Sequence, residues 1–217
     1  MSDIQSLEIT KIHADESFNC RGKIDPTSVV HLAKDIKDKG LIQPIIVCEY
    51  SPDQQQELGF DYKVIAGHRR LMAHKVLKME RIDAIVRNDM MTDVDARFFN
   101  LSENIQRSEL TILQEAYALE GLVNLGLKRQ DIAERLGMSD GWVQIRIMLL
   151  TLPEDIRLEV ERAGIKQSDI RKLYTVYRAS GEDIAREAVK DIKNAKATKR
   201  TANVDKHIKS KITQKKM

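Results

Sequence analysis

A glycine followed by basic side chains, at the start of a helical pattern, is the first feature of this sequence that could bind a ligand. Residues 64–73 read as an apolar strand, a turn at Gly67 and a helix that carries Arg69 and Arg70 in its first turn. Glycine lets the backbone approach a ligand closely, and the free N–H groups of a first helical turn bind anions. The stretch therefore predicts a phosphate site, with an ordinary helix start and exposed arginines as the alternative.

A second polar group interrupts an apolar-periodic helix at residues 103–107, where the sequence is Glu-Asn-Ile-Gln-Arg. Glu103 and Asn104 carry hard oxygen donors of the kind that hold Mg²⁺ beside phosphates. Arg107 lies one helical turn further on, so its side chain can reach the same ligand. These residues predict a metal and phosphate site, and a solvated helix face is the alternative.

Residues 128–150 have the spacing of a helix-turn-helix. Ala133 is small where two helices must cross, Gly137 permits a left-handed turn, and Ser139 can cap the second helix. In this motif the second helix enters the major groove of DNA. The alternative is a helical hairpin that packs only for stability.

Two sets of polar side chains in this motif are candidates for DNA contacts. We expect phosphate contacts from the residues at the start of the first helix, which are Lys128, Arg129 and Gln130. We expect base contacts from side chains early on the second helix, which are Ser139, Asp140, Trp142, Gln144 and Arg146.

The patterns of the whole chain predict an α+β fold class. Strands and helices alternate as far as about residue 88, which indicates a small mixed α/β domain, and the pattern beyond it is entirely helical. Asp25 with Pro26 predicts a helix start, and residues 51–59 read as a polar loop. The predicted domains are a nucleotide-binding domain, a helical domain and a basic, disordered tail, at residues 1–90, 91–195 and 196–217.

Composition indicates the compartment and the partners. The two cysteines, Cys20 and Cys48, lack metal-ligand spacing, and no apolar run approaches the ~20 residues of a membrane span. The first ten residues lack the regions of a signal peptide. We therefore expect a cytoplasmic protein with reduced thiols. Residues 194–217 carry eight basic side chains and one acidic one, which suits either nucleic acid or a solvated tail.

Taken in order, these segments resemble the ParB/Noc partition-protein family. Residues 40–47 are similar to its first motif, with Arg21 in the preceding loop where the family has an arginine. Residues 67–73 are similar to its second motif, Gly-Glu-Arg-Arg-x-Arg-Ala, and residues 103–107 match its third. The helix-turn-helix and the Leu-Leu-Thr-Leu-Pro sequence at residues 149–153 also match, so the resemblance covers most of the chain.

The resemblance implies a ParB- and sulfiredoxin-like N-terminal domain that binds CTP with Mg²⁺, and a helix-turn-helix that reads a palindromic, centromere-like site in double-stranded DNA. It also implies a nucleoid- or plasmid-associated homodimer that closes around DNA when CTP is bound. The metal ligands carried over from the family are Glu103 and Asn104. The nucleotide-binding residues carried over are Arg21, Gln43, Pro44, Gly67, His68, Arg69, Arg70, Asn104 and Arg107.

Two residues depart from the family's second motif. His68 replaces a glutamate that is tied to hydrolysis, and Met72 replaces an arginine. We therefore predict that CTP binds while its hydrolysis to CDP and phosphate is slow or absent, and we assign no catalytic residue. The same departures favour the alternative of a plasmid or phage transcription regulator with a vestigial nucleotide pocket.

The ends of the chain also differ from the usual family pattern. The region before Leu7 is too short for the basic peptide that usually contacts a ParA-type ATPase, and the usual C-terminal dimerisation domain is not evident after residue 196. We expect a compact plasmid- or phage-type relative or a truncated chain, with a ParA partner left open. Sulfiredoxin activity is excluded because it requires a cysteine where Gly67 stands, and a nuclease is disfavoured because no carboxylate cluster for paired metals is evident.

Overall fold

The computed structural model describes residues 4–15, 19–20, 24–88, 92–108 and 110–197, with side chains as far as residue 194. The chain divides into two compact units between residues 109 and 110. The first unit contains a mixed sheet with helices, and the described part of the second is entirely helical. The predicted α+β class is thereby confirmed.

Five strands form one sheet in the described part of the first unit. They are β1 (Ile4–Glu8), β2 (Ile12–His13), β3 (Ile45–Glu49), β4 (Tyr62–Ala66) and β5 (Arg81–Val86). Their spatial order is β1-β5-β3-β4-β2. β1 pairs with β5 and β3 with β4 in antiparallel fashion, whereas β3 with β5 and β2 with β4 are parallel. β4 is therefore an inner strand, and its carboxyl end leads directly into residue 67.

Four helices accompany this sheet among the described residues. They are α1 (Val30–Lys39), α2 (Pro52–Leu58), α3 (His68–Val76) and α4 (Asp93–Gln106). One core cluster joins α3 to strands β3, β4 and β5 through the buried side chains of Ile45, Val47, Val64, Leu71 and Ala84. A second cluster packs Ala73 of α3 against Val29, Ala33 and Ile36. α3 is thus fixed on both sides by apolar contacts.

Residues at two helix starts show where local sequence signals succeed and fail. Asp25 Oδ1 accepts a hydrogen bond from the Thr27 N–H at 2.8 Å, and a 3₁₀ turn at Pro26–Val29 leads into α1 as predicted. The prediction of a polar loop at residues 51–59 is wrong, because α2 lies there. Ser51 and Gln54 form a capping box at its start. The sequence of α2 is mostly polar and none of its residues is buried, so no apolar periodicity marks it as a helix.

α4 belongs to the first unit, whereas the sequence pattern assigned it to the helical domain that begins at residue 91. The physical reason is that its apolar side packs on the sheet. Ala96 lies in a cluster with Cys48 and Ile65, and Phe98 and Leu101 are buried as well. An all-helical stretch after a strand does not reveal which of two cores its apolar side enters.

The second unit contains six helices in its described part. They are α5 (Ile112–Asn124), α6 (Arg129–Leu136), α7 (Asp140–Leu150), α8 (Glu154–Arg162), α9 (Gln167–Ser180) and α10 (Glu182–Ala197). Thr111 caps α5 in a capping box with Gln114. One core cluster joins Leu113 of α5 with Leu149, Ile156, Leu173 and Ala185 of four other helices.

The predicted basic tail and Arg21 lie partly or wholly outside the described residues. α10 includes the first two residues of the predicted tail, and residues 198–217 lie outside the described residues, as does Arg21.

Within the described chain, every helix is too short or too polar to cross a bilayer.

Candidate functional site

A cavity of about 270 Å³ lies in the first unit beside the start of α3. Its walls come from the β4–α3 junction, from the second half of α4 and from the segment before and within α1. The lining residues are Asn19, Ile24, Leu32, Gly67, His68, Arg69, Arg70, Asn100, Glu103, Asn104 and Arg107. The two stretches that the sequence singled out independently, at residues 67–70 and 103–107, therefore meet at one site.

Gly67 makes the sharp turn from β4 into α3. Its φ angle is +97°, in the left-handed region, and a Cβ placed on it would lie 2.7 Å from Cγ2 of Ile45. A side chain at this position would also lie 3.3 Å from Cζ of Arg70. Glycine supplies no capping side chain here, so residue 67 does not compete with an anion for the N–H groups of the first turn of α3.

The two arginines after Gly67 are held by backbone carbonyl groups. Arg69 Nη2 donates to the carbonyl oxygen of Ser28 at 3.0 Å. Arg70 Nη1 donates to the carbonyl oxygens of Gln43 and Pro44 at 2.7 and 2.6 Å. Burial lowers the pKa of Arg70, with Glu103 acting in the opposite direction. A guanidinium group suits a phosphate site because it can bind phosphate oxygens in a bidentate fork.

Gln43 and Pro44 therefore differ in position from the other predicted nucleotide ligands. The described lining of the cavity does not include them. Their carbonyl oxygens instead bind the guanidinium of Arg70, so their structural effect on the cavity is to orient that arginine. In this way the first motif supports the second one.

His68 lies between two cavities. It is buried and lines the main cavity, and it also lines a neighbouring cavity of about 150 Å³ together with Leu71, Met72 and Lys75. His68 and Met72, the two residues that depart from the second motif, thus border the same small space. An imidazole and a thioether replace a carboxylate and a guanidinium there.

The second half of α4 forms the opposite wall. Arg107 Nη2 pairs with Glu103 Oε1 at 3.0 Å, and Asn104 Nδ2 donates to the carbonyl oxygen of Asn100 at 2.7 Å. The three predicted residues Glu103, Asn104 and Arg107 all line the cavity. The wall therefore combines carboxylate and amide oxygens with a cationic side chain.

Two polar contacts hold α4 against β4. Lys63 Nζ lies 2.5 Å from Asp93 Oδ1 at the start of the helix, and Asn100 Nδ2 donates to the carbonyl oxygen of Ile65 at 2.7 Å. Burial acts to raise the pKa of Asp93, but hydrogen bonds from Lys63 and Arg97 and their charges leave it below its usual value. These contacts fix the distance between Gly67 and the polar wall of α4.

Asn100 lines the cavity although it was not predicted from the sequence. The signal that could have found it is its spacing, three and four residues before Glu103 and Asn104, which places it on the same helix face. Asn19, which lines both cavities, carried no signal in the sequence.

The second unit contains the predicted helix-turn-helix as α6, a turn and α7. Gly137 ends α6 with φ +66°, and Ser139 Oγ accepts a hydrogen bond from the Trp142 N–H at 3.2 Å. Ala133 and Val143 are buried where the helices cross. Arg129 joins the starts of the two helices, since its Nε and Nη2 lie 2.7 and 3.2 Å from the carboxylate oxygens of Asp140.

The candidate DNA residues divide by exposure. Lys128, Gln130 and Ser139 are exposed, and Trp142 and Gln144 are half-buried. Arg129 and Asp140 are half-buried and paired with each other, so each charge already has a partner. This arrangement leaves Lys128, Gln130, Ser139, Trp142 and Gln144 as the side chains best placed to contact a ligand.

Arg146 is buried, so the prediction that it reaches a base is wrong. Its side chain is buried, with Nη2 2.6 Å from Oε2 of Glu115 and Nη1 donating to the carbonyl oxygen of Trp142 at 3.1 Å. Its guanidinium carbon lies 3.5 Å from the centroid of the Trp142 ring. Burial lowers the pKa of Arg146, and Glu115 acts in the opposite direction. Arg146 therefore orients α7 from inside the unit.

Arg171 on α9 is a cationic residue that the sequence analysis did not assign to the motif. Its side chain is exposed, and its Nη2 would lie 3.9 Å from a Cβ placed on Gly141 in the first turn of α7. The contact brings a positive charge from a later helix to the start of the second helix of the motif. Only the tertiary fold reveals this placement.

Comparisons with known protein families cover both units. The family model of the ParB N-terminal domain matches residues 1–105, and that of the ParB HTH domain matches residues 108–210. Nucleoid occlusion proteins from Bacillus mycoides and Bacillus cereus are each 34% identical over 172 residues, which cover 79% of this chain and 56% of the relative. The chain thus spans about half the length of the curated relatives it matches.

Solved structures share the fold at lower identity. The C-terminally truncated chromosome-partitioning protein ParB from Caulobacter crescentus, complexed to the centromeric parS site, is 21% identical with a TM-score of 0.57. That match covers 91% of this chain and 100% of the other. A pNOB8-like ParB N-domain is 13% identical with a TM-score of 0.56, over 98% and 96% of the two chains. With a ParB N-terminal domain followed by a ParB HTH domain, this chain belongs to the ParB/Noc family of partition proteins.

Proposed function

We propose that this protein is a CTP-gated DNA clamp: the first unit binds CTP with Mg²⁺, and this binding closes a homodimer around double-stranded DNA. The observation that carries the proposal is the cavity in which Arg69 and Arg70 meet Glu103, Asn104 and Arg107. Two stretches that are distant in sequence, each with its own phosphate or metal chemistry, contribute to one site.

The charges around the cavity favour a polyphosphate. Three arginines and the N-terminus of α3 face one carboxylate, that of Glu103. Guanidinium groups bind phosphate oxygens in a bidentate fork and keep their charge at all physiological pH values. The first turn of α3 adds N–H donors, and residue 67 has no side chain that caps them. A triphosphate would therefore have its negative charge offset from several directions.

The oxygen donors of the cavity suit Mg²⁺ when a nucleotide is present. Among the described residues, no cluster of three or more His, Cys, Asp or Glu side chains could hold a metal. Proteins usually hold Mg²⁺ through one or two carboxylates together with substrate phosphates. Glu103 and Asn104 would hold the ion in this way, and the ion would offset the charge of the phosphates.

The second unit supplies the DNA contacts in this proposal. Lys128 would contact phosphates, while Gln144 and Ser139 would read base edges at the start of α7. In helix-turn-helix dimers, the two second helices enter major grooves one helical turn of DNA or a multiple apart. We therefore expect a palindromic, centromere-like site and one protomer on each half.

His68 slows hydrolysis in this proposal, so that binding of CTP, and not its rapid turnover, controls closure of the dimer. An imidazole can hydrogen-bond a phosphate, but it is a poorer partner than a carboxylate for water ordered by Mg²⁺. We therefore propose that the dimer closes on binding CTP and reopens slowly.

Calorimetry with CTP, GTP and ATP tests this function, with Mg²⁺ and with or without a palindromic DNA site. CTP should bind in preference to the other two, and Arg70→Ala should abolish the heat of binding. The control is Arg81→Ala, which removes one positive charge from the same unit at a residue outside the cavity lining. Site-specific cross-linking of first units should rise with CTP.

A negative result has a defined meaning. If CTP at millimolar concentration, with Mg²⁺ and cognate DNA present, gives no heat and no added cross-linking, the clamp proposal fails. Sequence-specific DNA binding that persists without any nucleotide effect would then support the alternative of a transcription regulator, which His68 and Met72 favour.

A further inference from the structure

The side-chain amide of Asn100 has a fixed orientation. Its nitrogen lies 2.7 Å from the carbonyl oxygen of Ile65. A carbonyl oxygen can only accept a hydrogen bond, so the atom that faces it must be the Nδ2 donor. The oxygen Oδ1 therefore faces away from that carbonyl group, and Asn100 is one of the residues that line the cavity.

Oδ1 of Asn100 is a buried acceptor with no hydrogen-bond partner among the described residues. The residue is only 3% exposed, and the next residue along α4, Leu101, is buried as well. A buried acceptor left unsatisfied costs about 1–3 kcal/mol, and such groups are uncommon in folded proteins. An apolar side chain at this position would avoid that cost, so the acceptor calls for a donor that the protein itself does not supply.

The position of Asn100 indicates which donor it meets. It lies one helical turn before Glu103 and Asn104 on the same face of α4, and all three line one cavity. The ionised oxygens of a triphosphate group can only accept hydrogen bonds, so they cannot donate one to Oδ1 of Asn100. Mg²⁺ usually keeps several of its waters when a protein binds it, and each of these waters is a strong hydrogen-bond donor.

We propose that Asn100 is an additional ligand-binding residue of this cavity, and that its Oδ1 accepts a hydrogen bond from a water bound to the Mg²⁺ beside Glu103 and Asn104. This inference rests on the proposed function, because it requires a nucleotide with its metal in the cavity. Asn100 thereby couples metal binding to the contact between α4 and β4. The donor contact to Ile65 holds the acceptor in place before the ligand arrives.

Two substitutions in the full chain distinguish the role of the acceptor oxygen of the Asn100 amide from that of its donor nitrogen. Asn100→Leu removes both, and Asn100→Asp keeps an acceptor while losing the donor to Ile65. With saturating Mg²⁺, we expect Asn100→Leu to bind CTP at least about 10-fold more weakly than the unaltered protein, as for other groups that contact a metal through its ligands. With EDTA in place of Mg²⁺, the two should bind alike, and Asn100→Asp should retain a Mg²⁺-dependent gain in affinity.

A measurement on the unaltered protein covers the case in which a variant does not fold. Addition of CTP with Mn²⁺, a paramagnetic substitute for Mg²⁺, should broaden the NMR signal of the Asn100 side-chain NH₂. The signal of Asn88, which donates from Nδ2 to Glu49 and does not line the cavity, is the control and should broaden less.

Two results overturn the inference while leaving the proposed function intact. One is an equal Mg²⁺-dependent gain in the unaltered protein and in Asn100→Leu. The other is CTP binding without broadening of the Asn100 signal. If the unaltered protein binds no CTP at all, the proposed function fails and the inference fails with it.

Discussion

Arg146 on α7 and Glu115 on α5 form a buried ion pair, with 2.6 Å between Nη2 and Oε2. The pair links the second helix of the helix-turn-helix to a helix that precedes the motif. The same guanidinium also lies over the ring of Trp142, the only tryptophan of the chain. The orientation of α7 therefore depends on a charge that never reaches the surface.

Removal of Glu115 should destabilise the second unit strongly. Glu115→Ala leaves the Arg146 charge buried without its partner, and such losses cost about 3–5 kcal/mol in other proteins. Urea unfolding followed by Trp142 fluorescence measures the free energy of unfolding. Arg178→Ala, which removes an exposed arginine of α9, is the control and should change it by less than about 0.5 kcal/mol.

A double variant refines this prediction. Replacing both partners by apolar residues, as in Glu115→Leu with Arg146→Met, removes the unpaired charge and should recover much of the lost stability. A single variant that unfolds at the same urea concentration as the unaltered protein would contradict the buried pair.

Gly67→Ala should cost more stability than an alanine at another left-handed glycine. The added Cβ meets Cγ2 of Ile45 at 2.7 Å, so the β4–α3 turn must shift in addition to the backbone strain. Gly59 is a matched control, with φ +73° and no atom within 4 Å of its Cβ position. Gly59→Ala should cost about 1–2 kcal/mol from strain alone, and Gly67→Ala clearly more.

Thermal unfolding of the two glycine variants provides the measurement, together with CTP binding. Equal melting temperatures for the two variants would show that the space around residue 67 can accommodate a methyl group.

The ion pair between Lys63 and Asp93 should make the first unit sensitive to acid. The pKa of Asp93 is lower in the folded state than its usual value of about 3.9, so its contribution to stability is fully present above that pH. The contribution is lost as the pH falls through the lower pKa of the folded state. We expect Asp93→Asn to be less stable than the unaltered protein at pH 7 and the difference to shrink below pH ~4.

Denaturant unfolding at a series of pH values checks this expectation. Asp38→Asn, a substitution of an exposed carboxylate on α1, is the control. A stability difference for Asp93→Asn that stays constant from pH 7 to pH 3 would refute the role of the carboxylate charge.

Two substitutions in the helix-turn-helix should affect DNA binding in different ways. Gln144→Ala should cost about 1–3 kcal/mol at a cognate site and little on random DNA. Lys128→Ala should weaken binding to every sequence. It should also reduce the slope of the logarithm of the binding constant against the logarithm of salt concentration by the amount that corresponds to about one phosphate contact. Fluorescence anisotropy at several salt concentrations, on both kinds of DNA, distinguishes them. Equal losses on cognate and random DNA for both variants would contradict the assignment of α7.

His68→Glu should raise CTP hydrolysis. The substitution returns the carboxylate of the family's second motif to a position that lines the cavity. Release of inorganic phosphate gives the rate, and nucleotide binding measured in parallel separates turnover from affinity. Lys75→Ala, a change in the neighbouring small cavity, is the control and should leave the rate unchanged. An unchanged rate in His68→Glu, with normal binding, would show that His68 does not limit turnover.

Local sequence signals predicted the elements that depend on local chemistry. Asp25, Thr111 and Ser139 cap helices where expected, and Gly67 and Gly137 make the expected turns. These features involve residues within a few positions of each other, so spacing alone is informative.

Features that depend on distant packing were not predictable in the same way. Arg146 has the spacing of a base-reading residue, but it pairs with Glu115, which lies 31 residues earlier, and is buried in the second unit. Asn100 interrupts an apolar helix face in the sequence, and only the fold shows that its amide donates to the carbonyl oxygen of Ile65 and that the residue lines the cavity. α2 lacks a buried apolar face, so the sequence offers only signals at its ends, which are the capping box of Ser51 and Gln54, Pro52 in the first turn and Gly59 after the last residue.

The pairing of β1 with β5 has a consequence for synthesis of the chain. Glu8 lies opposite Arg81 in this pair, 73 residues away, so the outer edge of the sheet cannot form until β5 has left the ribosome. At about 5–20 residues per second, β1 waits between about 4 and 15 s without its partner. During that interval the nascent chain exposes the apolar side chains of Leu7 and Ile9, and a ribosome stalled before residue 81 would present them to chaperones.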